Sequence, residues 1–117
     1  MKLITSKICM TKDVGLHGNL FGGNMMAWAD EAAAIFARTE CNWDLMVTRH
    51  ISEIDFTKAV KVGTILRFWG TVDKFGETSI TFTLMVDDPK GNEYFRTQFV
   101  FVAIDEEGKR TKLPEKK

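Results

Sequence analysis

Between His17 and Ala34 the chain reads HGNLFGGNMMAWADEAAA, a glycine-rich turn that runs straight into an almost wholly apolar segment with two adjacent carboxylates, Asp30 and Glu31. The segment has helical length. A helix apolar on every side is a buried one, so an acid in its middle needs a reason. Helix carboxylates on a surface are commonly paired with a Lys or Arg three or four positions on. Asp30 instead meets Ala33 and Ala34, and Glu31 meets Ala34 and Ile35. Asp is also a weak interior helix former. A carboxylate kept there against helix stability is a candidate for proton transfer, the work of a general base. The turn ahead of it has a chemistry of its own. The first N–H groups of a helix are unpaired and favour negative charge, and Gly22 and Gly23 would leave them uncovered.

The elements that must position these residues follow from hydrophobic periodicity. Lys2 to Thr11 reads as a first strand, Lys12 to Asn19 as a loop punctuated by Gly15 and Gly18, and Gly22 to about Arg38 as the helix. An extended segment follows through Met46-Val47-Thr48, Ile51, Ile54 and Phe56, and Lys58 to Gly63 is a connection. Three long strands complete the chain: Thr64–Phe75, Glu77–Asp87 and Tyr94–Ile104. The second alternates cleanly, with Ile80, Phe82, Leu84 and Val86 on one face. Asp88-Pro89-Lys90-Gly91-Asn92 is a strong hairpin turn. Consecutive strands joined by short turns pair antiparallel. One helix and such a sheet bury each other when the sheet curls around the helix. The helix's far side then needs cover, and a partner subunit would supply it.

The bulk properties narrow the field. The 117 residues, 44% hydrophobic and 27% charged, suit one soluble domain spanning 1–117. A formal net charge of +0 argues against a nucleic-acid or membrane-surface binder, although the tail from about 109 to 117, KRTKLPEKK, is strongly basic. No apolar run reaches the length of a membrane span. The two cysteines, Cys9 and Cys41, lack metal-ligand or redox spacing and read as reduced thiols of a cytoplasmic protein.

Gly18-Asn19-Leu20-Phe21-Gly22-Gly23 followed by Trp28-Ala29-Asp30 resembles the hotdog-fold acyl-CoA thioesterases, specifically the acyl-CoA hydrolase group. Val47-Thr48, Ile54-Asp55-Phe56, Val62-Gly63, Phe101-Val102-Ala103-Ile104-Asp105 with Gly108, and Leu113-Pro114 carry the resemblance over nearly the whole chain. It implies an α+β hotdog fold, a five-stranded antiparallel sheet curled around one long central helix. It also implies a hydrolase that cleaves acyl-CoA to a free acid and coenzyme A. There are departures. Members commonly carry an Asn where this chain has Gly15, so that catalytic partner role is vacant or transferred to Asn19 or His17. The acid often found at Ser52 is absent, and Ala59 replaces a loop proline.

On this reading Gly22 and Gly23 polarise the thioester carbonyl, as helix N-terminal amides stabilise a developing oxyanion, and Asp30 activates water or, as a second option, attacks directly. Asp30 lies eight positions beyond Gly22, about 12 Å along a helix rising about 1.5 Å per residue. One thioester cannot touch both on the same helix. The expectation is a homodimer with two composite sites, amides from one subunit and Asp30 from the other, with further assembly to tetramers or hexamers left open. Asn19 could cap the helix or bind the thioester or water. His17, Phe21, Met26 and Thr48 are candidate substrate-binding residues, with Met25 and Trp28 as further lining of an acyl pocket. Arg49, Lys109, Arg110 and Lys112 are candidates for the phosphates of coenzyme A, with Lys58 and Lys61 also suited. No metal and no cofactor is expected, coenzyme A being part of the substrate. A non-catalytic acyl-CoA-binding module is the alternative. A hydratase would want a His–Asp pair that this spacing does not offer.

Overall fold

The computed structural model describes residues 1–114; Glu115, Lys116 and Lys117, the end of the basic tail, lie outside the described residues. Strand β1 (Lys2–Ile8) is followed by a 3₁₀ turn (Thr11–Asp13), helix α1 (Gly22–Cys41), and strands β2 (Met46–Ile51), β3 (Ile65–Phe75), β4 (Ser79–Asp87) and β5 (Glu93–Ala103). All five strands form one antiparallel sheet in the order β1-β3-β4-β5-β2. The hairpins β3–β4–β5 make its centre, and the strands flanking α1 in sequence become its two edges.

The core lies between the sheet and α1. Ile80, Phe82, Leu84 and Val86 of β4 are fully buried, as their alternation requires. The Phe82 ring sits 4.9 Å from that of Phe36 on α1, and 5.8 and 5.7 Å from Phe99 and Phe101 on β5. The helix docks through Met25, Ala29, Ala32, Ala33, Phe36, Ala37 and Cys41, a stripe at three- and four-residue spacing. Its alanines let the two backbones approach closely. Gly70 on β3 completes the seat, because a Cβ there would lie 2.8 Å from the Phe36 ring.

Three expectations change. The helix is not buried on every side of the single chain: Asp30, Glu31, Ile35 and Arg38 are exposed. Its inner stripe of small residues made the whole segment read as core. The helix also runs past Arg38 to Cys41, where Asn42 at φ 51 in the left-handed region ends it. Thr39 and Glu40 continue it on the outer side, and Glu40 meets Lys2 of β1 at 3.1 Å. Strand β1 stops at Ile8 rather than Thr11, because the Asp13 carboxylate accepts the Met10 N–H at 2.9 Å and turns the chain.

The β4–β5 turn is built on buried Asp88. Its carboxylate accepts the N–H groups of Lys90 (2.9 Å) and Asn92 (3.0 Å), the Asn92 side chain (2.9 Å) and the Tyr94 hydroxyl (2.8 Å). These donors, the Asn92 side chain foremost, lower its pKa from 3.8 to about 2. With the folded value below the unfolded one, the stabilisation is whole above about pH 4 and is lost as pH falls toward about 2. Asp88→Asn should remove that step. Its urea midpoint should fall less than the wild type's between about pH 5 and about pH 2.5.

Candidate active site

The start of α1 is shaped by a tight hairpin. Val14 pairs with Leu20, the Gly15 N–H donates to the Asn19 carbonyl at 2.9 Å, and the Gly18 N–H donates to the Gly15 carbonyl at 3.1 Å. Gly18 sits at φ 74, which glycine tolerates. The Asp13 carbonyl then accepts the Phe21 N–H at 3.3 Å and the Asn24 side-chain amide at 2.9 Å, tying the helix start to the 3₁₀ turn. The Lys12 ammonium, bonded to the Asp13 carboxylate at 2.9 Å, and the Met10 N–H hold that carboxyl below its usual range. Burial, with the Asp13 charge adding to it, pushes the Cys9 thiol up, which keeps it protonated and inert.

Phe21 is the N-cap, in extended conformation and without a side-chain cap. Asn19 therefore does not cap the helix, one of its two expected roles; its Oδ1 instead accepts a bond from Lys61 Nζ at 2.7 Å. The N–H groups of Gly22 and Gly23 have no hydrogen-bond partner among the described residues, and both glycines are exposed. A Cβ on Gly23 would meet nothing within 4 Å, and one on Gly22 only the Phe56 ring at 3.7 Å. Beside them lies a cavity of about 350 Å³ lined by Asn19, Leu20, Gly22, Met25, Phe56 and Val60. That volume is at the small end for ligand pockets. Phe21, itself 57% exposed, lays its ring where a side chain on Gly15 would go, 2.8 Å from the would-be Cβ.

Asp30 has a partner that helix spacing alone could not supply. The Thr48 hydroxyl on β2 donates to Asp30 Oδ1 at 3.0 Å. The next residue, Arg49, falls in an irregularity of the ladder, where pairing passes from Thr48–Phe101 to His50–Val100. Such bulges bend the strand and re-aim side chains. Among the described residues, strand β2 is a sheet edge paired only with β5. Glu31 reaches Lys7 of β1 at 3.9 Å, an exposed contact worth little.

The predicted residues thus fall into three groups. Gly22, Gly23, Asn19 and Phe21 gather at the helix start, with Met26 half-buried one turn further on and His17 exposed at the hairpin tip. Asp30 lies about 12 Å along the unbroken helix and meets Thr48, with Arg49 the next residue of β2. Lys109, Arg110 and Lys112 are elsewhere. Arg110 bridges Ile104, whose carbonyl accepts the Trp43 indole N–H at 2.9 Å, so this described part of the basic tail lies at the C-terminal end of α1. Within one chain it is a helix length, about 30 Å, from the free amides. Sequence reasoning missed Leu20, Phe56 and Val60 as cavity lining. The Asn19–Lys61 bridge and the Leu20 N–H to Val60 carbonyl bond (2.9 Å) bring them there, and no local pattern announces that pairing.

One long helix against a five-stranded antiparallel sheet is the hotdog architecture. The model of the thioesterase superfamily matches residues 17–95, and the chain belongs to that family. Acyl-CoA thioester hydrolase YciA of Salmonella typhimurium is 31% identical, over 97% of this chain and 90% of its own length. A hexameric thioesterase from Yersinia pestis superimposes with a TM-score of 0.91 at 28% identity, over 98% of this chain and 97% of that one. The acyl-CoA hydrolase of Staphylococcus aureus, solved with butyryl coenzyme A, gives a TM-score of 0.82 at 31% identity, over 94% of this chain and 67% of that one. Structures of that enzyme with an aspartate or an asparagine changed to alanine exist, the two positions fifteen residues apart, which is the spacing of Gly15 and Asp30 here.

Proposed function

We propose that this chain hydrolyses acyl-CoA thioesters to a carboxylic acid and coenzyme A, in sites shared by two subunits. Asp30 takes a proton from water, and the hydroxide attacks the thioester carbonyl carbon. The Gly22 and Gly23 amides of the facing helix hold the negative charge that develops on the carbonyl oxygen. The carbon–sulfur bond then breaks, and coenzyme A leaves with the proton taken up by its sulfur. The chemistry needs no metal or further cofactor. The observation that carries this reading is the pairing of an exposed, Thr48-held Asp30 with free glycine amides about 12 Å away on the same unbroken helix.

A two-fold partner on the β2 edge would bring its own helix start toward Asp30. Higher assembly is in keeping with the hexameric Yersinia thioesterase. Arg49, beside Thr48, suits a coenzyme A phosphate better than Lys109, Arg110 or Lys112 of the same chain. Those three residues would instead serve a site reached from the partner. Purified protein should release thiol from at least one member of a panel of short, long and aromatic acyl-CoA esters. Binding of those esters with no turnover would instead support a non-catalytic acyl-CoA module.

A further inference from the structure

We propose that Asn19 donates to the reacting thioester through its side-chain amide, and that Lys61 is the positioning residue that aims it. The inference rests on the thioesterase reading and deepens it. Asn19 is the middle of three extended segments. On one side the Gly15 N–H donates to its carbonyl at 2.9 Å; on the other it bridges Lys61. Its side chain lines the same cavity as Gly22.

An amide can turn either of its ends to a neighbour, and the neighbour here decides. Lysine carries three donors and no acceptor. With Lys61 Nζ 2.7 Å away, the Asn19 oxygen must face Lys61, and the NH₂ group faces away from it. That nitrogen has no hydrogen-bond partner among the described residues. Asn19 is thus held as a fixed donor of two N–H groups beside the uncovered amides of α1. Gly15, across the hairpin, brings no side chain, and the Phe21 ring fills the place where one would start. Asn19 is the one carboxamide lining the cavity, and a donor pre-aimed at a developing oxyanion is worth far more than one that must first orient.

Lys61 makes no ion pair among the described residues, so two roles for its charge compete: holding Asn19, or attracting a coenzyme A phosphate. Steady-state kinetics on a hydrolysed acyl-CoA ester separate them. Asn19→Ala should lower kcat about 10²-fold. Asn19→Asp should lower it comparably while keeping the melting temperature, because the carboxylate still bonds Lys61 but donates nothing. Lys61→Met should lower kcat about 10-fold and leave KM within about two-fold, Lys61→Arg should retain most of the rate, and Lys61→Met should cost nothing further in the Asn19→Ala background. A Lys61→Met enzyme with raised KM and unchanged kcat, an Asn19→Asp enzyme at wild-type rate, or additive losses in the double variant would overturn the inference. Asp30→Asn, assayed alongside, keeps the two readings apart. If it is impaired while the Asn19 and Lys61 variants are not, only the positioning role fails. If the wild type is inert toward every ester, the thioesterase reading fails and takes this inference with it.

Discussion

Asp30→Asn should lose about 10²-fold or more in turnover of acyl-CoA, the usual scale for removing a general base. The substitution isolates that role. Asn keeps the shape of the side chain and an oxygen able to accept the Thr48 hydroxyl now 3.0 Å from Asp30 Oδ1. It cannot take a proton from water. Asp30 is exposed in the single chain and carries no core packing, so the melting temperature should stay within what a surface change produces, about 0.5 kcal/mol of stability. The loss should fall on kcat with KM nearly unchanged, the signature of an interaction made only in the transition state. An equal rise in KM would mean that Asp30 binds the ester without activating water. Thr48→Val should give a smaller loss of the same kind, because the carboxylate would remain but its orientation would relax.

Gly23→Val should lower kcat on the order of 10²-fold, as expected when one oxyanion donor is no longer reachable, and the fold should be unharmed. The reasoning is steric. A Cβ at Gly23 meets nothing within 4 Å, so a side chain there fits the chain and projects into the space a thioester would occupy. Glycine is also the poorer helix former of the two, so stability should hold or rise slightly. Gly15 provides the contrast, since a Cβ there would lie 2.8 Å from Phe21 Cε1 and must displace that ring. Kinetics and melting curves on Gly23→Val decide the matter. A variant with wild-type kcat would remove these amides from the mechanism.

The sheet was legible in the sequence because its signals are local. The alternation of Ile80, Phe82, Leu84 and Val86 and the turn at Asp88–Asn92 fix β4 and β5 within about two residues. The helix start was legible for the same reason, glycines ahead of an apolar run. Its burial was not, because a stripe of alanines reads as apolar all round while the chain uses only one side of it. The Asp30–Thr48 contact joins residues eighteen apart, and the Asn19–Lys61 contact joins residues forty-two apart. Both depend on register between distant segments. Thr48 and Lys61 could be named as candidates from their types, whereas their partners appear only when the chain is folded. The basic residues near the end of the chain are the opposite case: the charge of Lys109 and Arg110 is plain in the sequence, and their place at the far end of α1 is not.

The shared site is the central claim, and a mixture of two crippled variants tests it directly. Asp30→Asn and Gly23→Val, differently tagged and co-expressed, should assemble at random, so that about half of the dimers are mixed. If Gly23 of one subunit and Asp30 of the other serve one thioester, each mixed dimer carries one doubly altered site and one intact site. The mixture should then recover about a quarter of the wild-type rate, and purified mixed dimers about half. If mixed dimers are confirmed by their two tags and hydrolyse no faster than the parent variants, the two residues act within one chain or not together, and the composite site is wrong.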